Sequence, residues 1–195
     1  MNFIEKAKKD IENNWFENHV AEIKGEEGLQ VIYWGEPGTN MYRTKYVLSG
    51  NNVFISGDIG EAVYSLTCLA SLENIKDFDL SYFTGKLTAF CDERYDFDDA
   101  KAKKELKEFW KEYDMHEIDE SKAIYDGVMS AIDESTNMNQ YHGMLMMVYH
   151  DTSLESDTLE YLWDLGERMP YRLIGYWVGL QMAIKQLENN ASKTA

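Results

Sequence analysis

The hydrophobic period of this chain changes once, near Gly57, and that change limits the fold more than any other feature. Before it, apolar residues alternate. Tyr42, Thr44, Tyr46 and Leu48 lie on one side, and Arg43, Lys45 and Val47 on the other. Period 2 is the signature of a half-buried strand. Ser49-Gly-Asn-Asn52 supplies hairpin-turn chemistry, and Val53–Ser56 returns the chain. With the β-type run Leu29–Trp34, the expectation is a three-stranded antiparallel meander. After Gly57 the apolar spacing fits 3.6 residues. Gly57-Asp58-Ile-Gly60-Glu61 then reads as a helix start, with Asp58 and Glu61 as a capping box and Ala62, Val63, Leu66 and Leu69 or Ala70 as the buried stripe.

No further strand is expected beyond that point. Helices are expected over 80–90, from Asp98 or Asp99 to Tyr113, from Asp119 or Ser121 to Ile132, over 139–149 in a Met-rich stretch, and from Ser156 or Asp157 to Glu167. Pro170 suits a helix N1 position, with that helix running to about Leu187. An amphipathic helix over 3–23, ended by Gly25-Glu-Glu-Gly28, precedes the sheet. Strands followed by a run of helices give an α+β fold: an N-terminal helix, a three-stranded meander and a mostly helical C-terminal two-thirds. At 195 residues the expectation is a single domain over 1–190, made of helix plus small sheet plus helix over 1–70 and a helical part over 71–190, with a frayed tail at 191–195.

The charge is strong and uneven. Nineteen Lys and Arg face 35 Asp and Glu, a net −16. Residues 92–134 hold 15 acids and 7 bases, and residues 151–167 hold six acids and no base. From Arg168 onward the balance turns to +3. Aromatic residues at 13% separate this chain from a disordered acidic tail, so the acids decorate a packed body. Such a surface repels nucleic acid, whose phosphates need Lys and Arg to replace their counterions. It attracts basic clefts. Two stretches are the candidate partner-binding residues: Asp92, Glu93, Asp96, Asp98 and Asp99, and then Glu155, Asp157, Glu160, Asp164 and Glu167. Glu160, Asp164 and Glu167 are expected on one helix face, where like charges at i, i+4 cost a few tenths of a kcal/mol that a partner's Lys or Arg would relieve.

Other motifs are explained without chemistry. Cys68 and Cys91 sit in apolar neighbourhoods and are expected as buried free thiols. His19, His116, His142 and His150 show no metal-ligand spacing, and Gly35-Glu-Pro-Gly38 reads as a plain turn. Met138, Met144, Met146 and Met147 read as core filling. Tyr176 and Trp177 are adjacent and cannot share one core face, so one of them could anchor an interface or a homodimer. The N-terminus is charged within five residues and no apolar run approaches membrane length, so a cytoplasmic protein is expected. No catalytic residue, metal or cofactor is assigned. The alternative enzymatic reading is a metal-dependent hydrolase using the Asp58 and Glu61 carboxylates.

The stretch Tyr42 to Tyr64, a hairpin followed by Gly-Asp-x-Gly-x-Ala-x-Tyr, resembles small proteins of phages and mobile elements that include anti-CRISPR inhibitors of Cas9. The resemblance implies a non-catalytic inhibitor in the host bacterial cytoplasm. Its partner would be Cas9 or the Cas9–guide RNA complex, engaged through the basic surface that otherwise takes nucleic acid. No residue role is carried over with it.

Overall fold

The computed structural model describes residues 2–26 and 28–194, without the side chain of Thr194. The α+β class holds, but the sheet is larger than the alternation predicts. The chain forms two compact units, one from residues 1–93 with 170–195 and one from residues 94–169.

The first unit opens with α1 (Phe3–Asp10), capped by Asn2 and Glu5 in a reciprocal capping box. A π-helical turn (Ile11–Trp15) follows, and Phe16 leaves helical geometry at φ −120°. The expected helix over 3–23 therefore ends early. Val20 and Ile23 belong to β1 (Val20–Glu26), which pairs antiparallel with β2 (Leu29–Gly35). Gly25 and Gly28, both at positive φ, turn this hairpin and do not stop a helix. β3 (Thr44–Ser49) and β4 (Asn52–Gly57) form the hairpin that the alternation predicts, with Ser49 opposite Asn52.

The expected helix after Gly57 is a strand, β5 (Ala62–Ser65), paired with β4. Asp58 caps no helix. Its Oδ2 accepts the Tyr42 backbone N–H at 2.8 Å. Gly57 and Gly60 take φ of +153° and +111°, which makes 57–61 a tight turn between strands. The 3.6-residue spacing of Ala62, Leu66 and Ala70 arises because Ala62 and Tyr64 face the core from a strand while Leu66 and Ala70 are buried beyond its end. Short α2 (Leu72–Ile75) and α3 (Leu80–Gly85) lead to β6 (Leu87–Phe90), so the helix expected over 80–90 stops at Gly85. The order β1-β2-β3-β4-β5-β6 makes one six-stranded antiparallel meander.

One face of this sheet carries Ile32, Trp34, Tyr46, Leu48, Val53, Ile55 and Tyr64, all buried. Against it packs α8 (Tyr171–Thr194), which starts just after Pro170 and continues past the expected end at Leu187. Tyr176 is buried and its hydroxyl donates to the Ile59 carbonyl at 3.1 Å. Trp177 is half-buried and donates to the Phe78 carbonyl at 3.0 Å, so neither ring is a free anchor. Cys68 is half-buried and Cys91 exposed, against the expected burial of both, because Cys91 lies past the end of edge strand β6.

The second unit begins with β7 (Asp96–Phe97) and α4 (Asp99–Glu112). α5 (Ser121–Glu134), α6 (Met138–Asp151), α7 (Ser156–Trp163) and β8 (Glu167–Arg168) follow. β7 and β8 form a two-residue antiparallel ribbon that the sequence did not suggest. The core holds Leu106, Trp110, Ile124, Val128, Tyr141, Leu145 and Leu162. Met138 fills it as expected, whereas Met147 is exposed. No described helix is long and apolar enough to cross a membrane.

Candidate partner-binding surface

The ten acidic candidates separate into two chemically different groups. Asp92 and Glu93 belong to the first unit, where Asp92 Oδ2 accepts from Arg172 Nη1 at 2.7 Å. Asp96, Asp98 and Asp99 belong to the second and are engaged in holding it together. Asp98 is the N-cap of α4, its Oδ1 accepting the Lys101 N–H at 2.9 Å. Its other oxygen takes Arg168 Nη1 at 3.1 Å, and Asp96 lies 3.5 Å from Arg168 Nη2. Asp99 pairs with Lys103 at 3.2 Å, and Lys103 also reaches Asp133 at 2.6 Å. The first stretch is thus largely neutralised from within.

The second stretch is different. Glu155, Asp157, Glu160 and Asp164 are exposed, and among the described residues none of them forms an ion pair. Glu155 occupies the N-cap of α7 in extended geometry, yet its side chain makes no capping bond. Asp157, Glu160, Tyr161 and Asp164 recur at i, i+3, i+4 and i+7 and share one helix face. Glu167 leaves that face, because the helix ends at Trp163 and Glu167 lies half-buried in β8. Burial first, then Asp164 and Glu105, raise the Glu167 carboxyl above its ordinary pKa, against the opposing pull of Lys101 and Arg94.

α6 holds α7 in place. The Tyr141 hydroxyl donates to the Leu162 carbonyl at 2.7 Å, and His142 Nε2 lies 3.0 Å from the Trp163 carbonyl. The His142 and Trp163 rings stack with centroids 4.0 Å apart. The Leu162 carbonyl also accepts the Leu165 N–H at 3.4 Å, so α6 adds a second donor there and sets an imidazole nitrogen against the Trp163 carbonyl at the end of α7. Leu162 is locked inward, and the Asp157–Asp164 face points to solvent.

Beside this face is an aromatic patch. Tyr161 packs on Phe109 and Tyr113 of α4 at 5.7 and 5.6 Å between centroids, and Phe109 meets Tyr113 at 4.9 Å. Tyr161 is 60% exposed and Tyr113 52%. The helical spacing of α4 places Tyr113 on the stripe of Leu106, Phe109 and Trp110. The structure leaves it at the margin of that stripe, at the C-cap, half in water.

The Asp58 and Glu61 carboxylates lie exposed on the turn between β4 and β5. Asp58 is committed to the Tyr42 N–H. Among the described residues, no group of three His, Cys, Asp or Glu side chains converges as a metal site. No protein-family model, curated protein or solved structure matches this chain, so the chemistry of the surface alone carries the functional reading.

Proposed function

We propose that this protein inhibits a nucleic-acid-binding enzyme by occupying its basic channel, with the outer face of α7 as the contact and Cas9 as the target to test. The observation that carries this reading is the set of four exposed carboxylates on and beside α7, none with an internal cation, next to the half-exposed Tyr113 and Tyr161. Carboxylates without an internal cation present a row of negative charge to Lys and Arg that otherwise hold phosphate. The two tyrosines add apolar contact area with few rotamers to freeze. Charge sets the encounter rate and the aromatic patch sets residence time.

The test is capture of the Cas9–guide RNA complex by the tagged protein at about 0.1 M and about 0.5 M salt, which span strong and weak surface-charge interaction. Capture is expected at the lower salt and should fade at the higher. The triple reversal Asp157→Lys, Glu160→Lys and Asp164→Lys turns three attractions into repulsions. At up to about 1 kcal/mol for each exposed pair, affinity should fall by about 2 kcal/mol or more, roughly thirtyfold. No capture at either salt, or an unchanged affinity for the triple variant, would overturn the assignment.

A further inference from the structure

The first unit carries a small site of opposite sign. Arg43 and Lys45 lie two residues apart on the outer side of the sheet, about 7 Å between Cα atoms for strand geometry. They flank a cavity of about 260 Å³ that Tyr33, Ser56 and Gly57 also line. Among the described residues neither cation has a carboxylate partner, although acids outnumber bases almost two to one in this chain. The Ser56 hydroxyl and the Tyr33 hydroxyl also make no hydrogen bond to the described chain. Four residues with donor groups therefore line one cavity, and Lys24, 5.3 Å from the centre of the Tyr33 ring, adds a further cation beside it.

The backbone that presents Arg43 is held by contacts on both sides. Tyr42 sits in the left-handed region at φ +53°, a conformation that costs a non-glycine residue about 1 kcal/mol or more. Two contacts hold it there. Asp58 accepts its N–H at 2.8 Å, and Trp15 stacks on its ring at 4.9 Å with planes 4° apart. The Asp58 N–H in turn donates to the Arg43 carbonyl at 2.8 Å. Two glycines clear space for the same residue. A Cβ at Gly57 would come within 2.1 Å of the Arg43 carbonyl oxygen, and one at Gly35 within 3.0 Å of Arg43 Cγ. Gly35 has no positive φ to explain it, so the Arg43 stem crossing β2 is what its missing side chain accommodates.

We infer that this cavity binds a small phosphate-bearing anion, inorganic phosphate or a phosphate monoester, between Arg43 and Lys45. A guanidinium fork, an ammonium and two hydroxyls suit an acceptor-only group with two negative charges. A nucleic-acid strand fits the same chemistry less well. Its many phosphates would meet the net −16 of the chain, whereas one small anion responds to charges within about a Debye length, near 10 Å at 0.1 M salt.

The test is a ¹H–¹⁵N NMR titration of the full chain with sodium phosphate, and separately with adenosine monophosphate, at constant ionic strength held with sodium chloride. Saturable shifts are expected at the amides of residues 43–45, 56 and 57. Arg43→Ala and Lys45→Gln should each weaken binding about tenfold. Lys45 is exposed, so its variant keeps the test open should the Arg43 variant fold poorly. Tighter binding of the monoester would assign the site to an organic phosphate lying along Tyr33, and equal binding would assign it to free phosphate. Shifts that never saturate in either titration, or undiminished binding by Lys45→Gln, would overturn the site.

Discussion

Replacing Gly179 with alanine should destabilise this protein, although alanine is the better helix former. Gly179 lies in the middle of α8, where the helix crosses the sheet. Helix propensity alone favours the change by about 1 kcal/mol. A Cβ there would sit 2.5 Å from the Tyr46 hydroxyl oxygen and 3.0 and 3.1 Å from the Phe16 ring. Tyr46 and Phe16 are fully buried, and the Tyr46 hydroxyl is tied to the Tyr176 carbonyl at 3.1 Å. The oxygen therefore cannot retreat cheaply. Overpacking of this kind costs about 3 kcal/mol at the upper end, which leaves a net loss of about 2 kcal/mol. In a chain of this size that lowers Tm by roughly 4–8 °C. Tyr46→Phe alone should lose one hydrogen bond, about 1 kcal/mol. It also removes the atom that obstructs the new methyl. The double variant should be no less stable than Tyr46→Phe, a coupling of about 2 kcal/mol measured by urea denaturation of all four proteins. Losses that add to within about 0.5 kcal/mol would refute the argument, since the two changes would then not meet at one atom.

Two further predictions concern the acids. Asp98→Ala removes both the α4 cap and an Arg168 partner, and should cost about 2 kcal/mol in denaturant melts; Glu160→Ala should stay within about 0.5 kcal/mol of the parent. Because the Glu167 pKa is raised in the folded state, its preference for the proton supports folding below the ordinary glutamate range and is lost as pH rises through the raised value. Glu167→Gln should therefore be more stable than the parent at neutral pH, with the difference closing as both are acidified toward pH 4. A gap that widens on acidification would show that the carboxylate is favoured by Lys101 and Arg94 rather than penalised by burial.

Local chemistry made the β3–β4 hairpin readable, because its alternation and its Ser-Gly-Asn-Asn turn both lie within the segment. β5 was not readable. Ala62, Leu66 and Ala70 match helical spacing, and Asp58 with Glu61 imitates a capping box. What decides for a strand is pairing on both sides, Phe54 opposite Val63 and Val63 opposite Ala89, and the second partner lies 26 residues away. β1 failed for the same reason, since its strand character depends on register with Leu29–Gly35. The base-free run after Asp151 marked the exposed acids, and among the described residues Glu155, Asp157, Glu160 and Asp164 form no ion pair. The neutralisation of Asp96 and Asp98 was hidden, because Arg168 is 70 residues from Asp98 and reaches it only through the β7–β8 ribbon.

The two later carboxylates of α7 run against the stability of that helix. Glu160 and Asp164 repel at i, i+4, and Asp164 sits at the C-terminal end, where the helix dipole disfavours an anion. Each effect costs a few tenths of a kcal/mol. Glu155 and Asp157 lie at the favourable N-terminal end of α7, but for solubility alone Glu160 and Asp164 could sit beside lysines, as Asp99 sits beside Lys103. Instead the helix is stabilised from behind by Tyr141 and His142, and the unfavourable charges stay on its outer face. That division of labour is what a contact surface for a cationic partner requires, because carboxylates already neutralised within the fold would have little left to offer it.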